Sequence, residues 1–328
     1  MKGIIKRGVT LFLMIFLGLW VTVVTAGNPI IPKEKQRIDL LQGEGRNVPS
    51  LSQGNHLKIA TVRLIAKNPG QLATRFREEL GFKVWSLGAL PSGEEIYSVL
   101  LKGGQTIEII SWSPSYIQFP IDDVKALMVG IQVNDMGQLA ASLQLSALSP
   151  FPIVPVHVGG DPKQRKMFEL QFINSPWYAF NGIYFIKRFE DEIAKVRQER
   201  PEFDDRPWQD QKNGVTSINT VWFAVKSIEN LEKRFFWLGL ISKDQDENGL
   251  IVFQIGDTQL KVVSPSYAKL SDSISKRLSQ YGEGIFRIEL GVETNTVVNQ
   301  SSKVKIAPGK VFSLTGMDTE LVFVAAHE

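Results

Sequence analysis

IATVRLIAKNPGQLATRFREELG at 59–81 and INTVWFAVKSIENLEKRFFWLG at 218–239 state one pattern twice. Ile59, Thr61, Val62, Leu72, Arg75 and Phe76 recur at a constant offset as Ile218, Thr220, Val221, Leu231, Arg234 and Phe235. Two further echoes follow in the same order: SPSY at 113–116 and 264–267, then FELQFI at 168–173 and TELVFV at 319–324. Repeats that keep their order with only small indels mark a duplicated unit, here about 110–130 residues long, which is a common domain size.

Within the first copy, TVRLIA (61–66) is rich in β-branched and apolar residues and predicts a strand. Asn68 is a good N-cap, Pro69 suits the first helical turn, and Leu72, Phe76 and Leu80 form an i, i+4, i+8 stripe that Gly81 ends. FKVWSLG, EIYSVLL and QTIEIISW then predict strands, separated by turn residues at 90–93 and 102–104. The order is β-α-β-β-β. In the second copy TVWFAV predicts the strand, and Ser227 caps a helix carrying Ile228, Leu231, Phe235 and Leu238, closed by Gly239. GLIVFQIG and TQLKVVSP follow as strands, with Asp257 in the turn between them.

Each copy is trailed by a partner unit. The first has MVGIQVND (128–135), a helix at 136–145, and strands through FELQFI and GIYFIKRF. The second has IFRIELGVE (285–293), VFSLTG and TELVFVAA, and it is abbreviated. Residues 188–215 are charged and punctuated by Pro and Trp, a connector that is helical over 189–199. The expected division is a signal segment at 1–26, a linker at 27–56, domain 1 at 57–187, the connector, and domain 2 at 216–328. The fold class is α+β, with tandem paired βαβββ modules in two domains.

Composition narrows the function. Hydrophobic residues make up 43% of the 328, ordinary for packed cores. The formal charge of +3 is spread along the chain without a Lys/Arg stripe, so nucleic acid is not an expected partner. There is no cysteine, which removes disulfides, thiolate metal sites and a cysteine nucleophile. His56, His157 and His327 are the only histidines and none is near another in sequence, so no HExxH helix exists. Lys2, Lys6 and Arg7 precede an uncharged run at 8–24, and Val24, Thr25 and Ala26 supply a cleavage-like tripeptide before Gly27. Export through a bacterial-type signal peptide, to the periplasm or outside the cell, is the expectation. The alternative is an uncleaved N-terminal anchor, the one route by which the chain would touch a membrane.

The strand–helix–Leu-Gly patterning, the Ile-Glu-Leu strand, the duplication, and the Gly282-Glu283-Gly284-Ile285 lead into the last unit together resemble the vicinal oxygen chelate superfamily, in particular its glyoxalase-like members. The resemblance covers about 57–187 and 216–327. It implies that paired units curl their sheets into a cup. It also implies metal ligands on the first strand of each unit, usually His, and a Glu on each last strand. Those positions fall at Thr61, Glu108, Met128 and Glu169 in domain 1, and at Thr220, Lys261, Arg287 and Glu320 in domain 2. None is histidine.

Domain 1 therefore retains two carboxylates, Glu108 and Glu169. Together with Thr61 they are the one set to which a divalent metal is assignable, since hard cations accept oxygen ligands; two convergent carboxylates also suit acid–base work. Against this, both can bond Thr61 or tyrosine hydroxyls in a wet cup, and Met128 is a poor neighbour for a cation. In domain 2, Lys261 and Arg287 repel a metal and with Glu320 form an expected charge triad, either an internal salt bridge or a receiver for an anion. Tyr116 and Tyr267 are expected at the lips of the cups, and Trp85, Trp112, Trp177 and Trp222 in the cups or the core. Two functions compete: a protein that binds a small molecule in one cup without the usual metal, and a metal-dependent lyase, isomerase or dioxygenase of glyoxalase type using domain 1.

Overall fold

The computed structural model describes residues 57–89, 95–111, 124–145, 149–150, 152–157, 163–174, 182–201, 204–228, 242–246, 249–267, 269–293, 308–313 and 319–326. The expected signal segment and linker, SPSY at 113–116, Trp112, Trp177, His56, His327 and most of the second-copy helix lie outside the described residues.

The first module is β1 (Lys58–Ala66), α1 (Pro69–Glu78), β2 (Trp85–Ala89), β3 (Glu95–Leu100) and β4 (Thr106–Ser111). Its partner is β5 (Val124–Gln132), α2 (Met136–Leu145), β6 (Ser149–Pro150), β7 (Val154–His157), β8 (Lys166–Asn174) and β9 (Ile183–Arg188). They share one sheet in the order β2-β3-β4-β1-β5-β9-β8-β6, with β7 also on β8. First strands β1 and β5 meet antiparallel at the centre, each flanked by the parallel last strand of its own module, β4 or β9. The connector carries α3 (Glu190–Glu199) and α4 (Arg206–Gln209). The second sheet, β11-β12-β13-β10-β14-β16-β15, repeats the plan with β10 (Val215–Ala224), β11 (Ser242–Asp246), β12 (Leu250–Ile255), β13 (Thr258–Val263), β14 (Gly284–Val292), β15 (Val311–Ser313) and β16 (Glu320–Ala325). The architecture is α+β, two curled sheets of paired βαβββ modules.

Local chemistry explains the pieces. The Asn68 side chain accepts the Gln71 N–H at 3.2 Å, Pro69 starts α1 without a lost donor, and Leu72, Ala73 and Phe76 turn into the core. On β1, Ile59, Val62 and Leu64 join that helix in one apolar cluster, while a bulge between Ile59 and Thr61 turns Thr61, Arg63 and Ile65 to the opposite face. Helices α1 and α2 cover the convex face, so the other face is the cup. The convex cluster runs unbroken into Ile218, Val221, Phe223 and Leu290 of the second sheet.

The sheets are also joined by polar groups at equivalent positions. Gln105 precedes β4 as Thr258 begins β13, and Ile59 and Ile218 are repeat mates. The Ile218 N–H donates to Gln105 Oε1 at 2.7 Å, and Gln105 Nε2 donates to the Ile59 carbonyl at 3.0 Å and to Thr258 Oγ1 at 2.9 Å. Thr258 in turn donates to the Ile218 carbonyl at 2.8 Å. The connector is equally tied: Gln211 bonds Lys83 and Leu100, Asn213 donates to the Leu80 carbonyl, and Trp208 stacks on Trp85. What its composition presented as a solvated connector is a clasp on the first module.

Two expectations need correction. FELQFI lies on β8, the penultimate strand of its module, whereas TELVFV lies on β16, the last. Alternating apolar residues recur on any strand buried on one side, so this echo matches pattern without matching place. The true counterpart of β16 is β9. The other is a helix not anticipated, α5 (Ser271–Tyr281), which lies on the concave face of the second sheet through Ile274, with Leu270 and Leu278 beside it.

Candidate functional site

Register fixes which side chains share the cup. On the first sheet, Thr106 and Glu108 of β4 stand opposite Thr61 and Arg63 of β1, which stand opposite Gly130 and Met128 of β5. Tyr184 of β9 is opposite Gly130, and Ser98 of β3 is opposite Glu108. One row across the concave face is thus Ser98, Glu108, Arg63, Met128. Beyond it the wall is apolar: Met128, Tyr184, Leu170, Val154 and Val156 form one buried cluster, with Phe168 and Ile186 against it.

Arg63 holds Glu108 with two donors on the same oxygen, Nε to Oε2 at 2.7 Å and Nη2 to Oε2 at 2.5 Å. The Arg63 side chain is 10% exposed and that of Glu108 23%. The guanidinium also lies 5.4 Å from the centre of the Tyr184 ring, a cation–π distance. Thr61 Oγ1 meets Thr106 Oγ1 at 2.8 Å and is also the partner of the Tyr184 hydroxyl. The Tyr184 ring crosses Gly130, where a Cβ would come within 2.7 Å of Cζ. Glycine is needed here for space.

Full burial pushes the Tyr184 phenol up to about 12, opposed by the charge of Arg63, helped by that of Glu108, and opposed again by the Thr61 hydrogen bond. The folded chain therefore keeps this proton at pH values where the unfolded chain releases it. Stability is undiminished below the unfolded phenol value, near 10, and falls as pH rises from there toward about 12. A Tyr184→Phe variant should lose this term, seen in chemical denaturation at pH 9 and 11 as a shallower fall in stability than wild type shows. Parallel falls would contradict the assignment.

The carboxylates assigned by resemblance are not brought together. Glu169 is opposite Lys187 in the β8–β9 register, while its neighbours Phe168 and Leu170 face the cup. It faces the other way and accepts from Lys166 Nζ at 2.7 Å. The reason is the misplaced echo: the position corresponding to Glu320 is Gly182, just before β9, whose carbonyl bonds the Val129 N–H beside Met128. Nor does Thr61 face Glu108; it is one pleat away, and Arg63 stands there instead. A divalent ion at this row would meet a guanidinium, a thioether and a glycine, with a single carboxylate already bonded twice. The donor set does not fit a chelated metal. Among the described residues no three His, Asp or Glu side chains gather as a metal set.

In the second sheet the corresponding row is Lys261, Trp222, Arg287, Glu320. Arg287 repeats the clamp of Arg63, with Nε at 3.0 Å and Nη2 at 2.8 Å from Glu320 Oε2. The expected triad is a pair: Lys261 instead sits with Nζ 4.7 Å from the centre of the Trp222 ring, and Arg287 lies 5.8 Å from it on the β14 side. Trp222 Nε1 donates to Glu289 Oε1 at 2.8 Å, and Thr220 is buried one pleat away. Tyr267, expected at a lip, is buried with Trp222, Phe286 and Ile274 under α5. Gly249, in left-handed backbone, lies where any Cβ would strike the Ser264 and Ser266 hydroxyls of that same turn. His157 bonds the Gln164 carbonyl and takes no part in either row.

Arg63 was missed by sequence reasoning, and Trp222, expected in a cup or the core, was not tied to its mate. They are repeat mates, two residues after Thr61 and Thr220, and a period of two places them on the same cup face. That periodicity was the available signal.

These features define a class: an α+β protein of tandem paired βαβββ modules with an arginine–glutamate clamp in each cup. No protein-family model and no curated protein matches the chain. Among solved structures, it is similar to a hypothetical protein from Staphylococcus aureus, at 10% identity and a TM-score of 0.57, over 81% of this chain and 98% of that one. Weaker likenesses are a mutant 4-hydroxymandelate synthase from Streptomyces coelicolor (11% identity, TM-score 0.46, 72% of this chain and 71% of that one) and a fusion protein. The fusion joins a xylose isomerase-like TIM barrel to 4-hydroxyphenylpyruvate dioxygenase (14% identity, TM-score 0.44, 79% of this chain and 41% of that one). At 10% identity the likeness to the Staphylococcus aureus protein is one of fold.

Proposed function

We propose that the chain binds a small amphipathic molecule in the cup of domain 1, without a metal. The observation that carries this reading is the Arg63–Glu108 clamp at the row where the fold resemblance puts a chelate. Detaching Glu108 to serve a cation would forfeit two charge-assisted bonds, each worth about 1.5–3 kcal/mol, and leave a guanidinium beside the ion. What the row offers instead is an acceptor. Both Arg63 bonds to Glu108 use Oε2, and neither Oε1 nor the hydroxyl of the buried Ser98 has a protein partner among the described residues. A hydroxyl or ammonium head would lie on Glu108 and Ser98, and an apolar body would lie on Met128, Tyr184 and Ile186.

The test is a melting experiment with 2-phenylethanol and 2-phenylethylamine, and phenylacetate as the acceptor-headed counterpart. At about ten times its Kd a ligand stabilises by about 1.4 kcal/mol, several degrees in Tm. The account expects that rise with the donor-headed probes, and its loss in Met128→Lys, which blocks the apolar wall. No rise with either donor-headed probe contradicts it.

A further inference from the structure

The second cup is built with the opposite sign. At register-equivalent positions Glu108 is replaced by Lys261 and Met128 by Arg287, so the row reads cation, indole, cation, carboxylate. Both acids near it are already engaged: Glu320 by Arg287 and Glu289 by the indole N–H. In strand order Trp222 of β10 stands between Lys261 of β13 and the strands bearing those carboxylates. Lys261 is half-buried and meets the Trp222 ring; among the residues whose side chains are described, no carboxylate lies within ion-pair reach of it.

Gln259, two residues before Lys261 on the same face and opposite the buried Thr220, is also half-buried, and its amide has no hydrogen bond to protein among the described residues. An ammonium and a carboxamide side by side, both lacking acceptors, complement the two oxygens of a carboxylate. Beside Lys261 the cross-strand neighbours are apolar, the largely buried Val252 on β12 and Trp222 on β10, while those of Gln259 are polar, Gln254 and Thr220. Helix α5 closes one end, with Ile274 over Trp222, Ala224, Val263 and Phe286.

We propose that the concave face of domain 2 binds a small organic carboxylate with an apolar body, its oxygens on Lys261 Nζ and the Gln259 amide and its body against Trp222 and Val252. This site lies on a separate sheet and does not rest on the reading of domain 1.

The test follows the Trp222 indole N–H resonance in ¹⁵N-labelled protein, assigned by its absence in Trp222→Phe. Phenylacetate is expected to shift it saturably, about tenfold more weakly in Lys261→Gln, with Lys261→Arg restoring most of the affinity. Phenylacetamide and 2-phenylethylamine should give no saturable shift. Equal binding of phenylacetamide, or unchanged affinity in a folded Lys261→Gln, overturns the carboxylate site; inorganic phosphate binding as well as phenylacetate overturns the apolar part. Because the domain 1 probes carry donor heads and this one an acceptor head, either proposal can fail alone.

Discussion

Gln105→Ala is expected to cost about 3–5 kcal/mol, because it leaves the Ile218 N–H and the Ile59 carbonyl buried without partners at about 1–3 kcal/mol each and strips a bond from Thr258. Every one of these groups sits where the two sheets meet, so the loss should fall on their coupling. Denaturant unfolding, expected as a single transition in wild type because the two sheets share one core, should separate into two or show a reduced slope. Lys102→Ala is the control: its ion pair with Glu293 also crosses between the sheets, but both partners are well exposed, and such pairs contribute about 0–1 kcal/mol. A Gln105→Ala protein unfolding at wild-type denaturant concentration would mean that the convex apolar cluster alone holds the halves together.

Gly130→Ala is the second large effect. A methyl group there comes within 2.7 Å of Tyr184 Cζ and 2.8 Å of its hydroxyl oxygen, and the ring is walled in by Met128, Leu170 and Val156. It cannot move aside cheaply, and overpacking of this kind costs about 1–3 kcal/mol. The displaced phenol also loses its contacts with Thr61 and Arg63. With about 3 kcal/mol lost in all, we expect a fall of about 6–12 °C in Tm, taking about 2–4 °C per kcal/mol. In a Tyr184→Leu background the same Gly130→Ala change should cost under about 1 kcal/mol, since the clashing atoms are gone. Equal costs in both backgrounds would place the strain in the backbone and not in the ring.

The duplication was legible because helix caps, helix stripes and turn glycines are local signals. Asn68, Leu72 and Phe76 do in the structure what their spacing says, and Ile59 and Ile218 do meet at equivalent positions across the junction. Register was not legible. Glu169 follows the same alternation as Glu320, yet the one stands on a penultimate strand facing away from the cup and the other on a last strand facing into it. A single slip in strand assignment moved a carboxylate to the wrong face, as a period of two requires. Arg63 escaped for a related reason: the repeat shows itself through identities between the copies, and the cup rows are where the copies differ, Arg63 standing where its mate is Trp222. Helix α5 did leave a signal that was not read, Leu270, Ile274 and Leu278 at intervals of four.

Both domains therefore share one device. An arginine on a central strand clamps one carboxylate oxygen at the row where the fold resemblance assigns a metal, in domain 1 with Glu108 and in domain 2 with Glu320. Around that device the charges are reversed, which gives one scaffold two cups of different chemistry. The most direct test is calorimetric titration of Mn²⁺, Fe²⁺, Ni²⁺ and Zn²⁺ into the chelator-treated protein, alongside elemental analysis of the protein as purified. No stoichiometric metal and no saturable heat are expected in wild type or in Glu108→Gln. One equivalent of metal per chain, lost in Glu108→Gln, would contradict it.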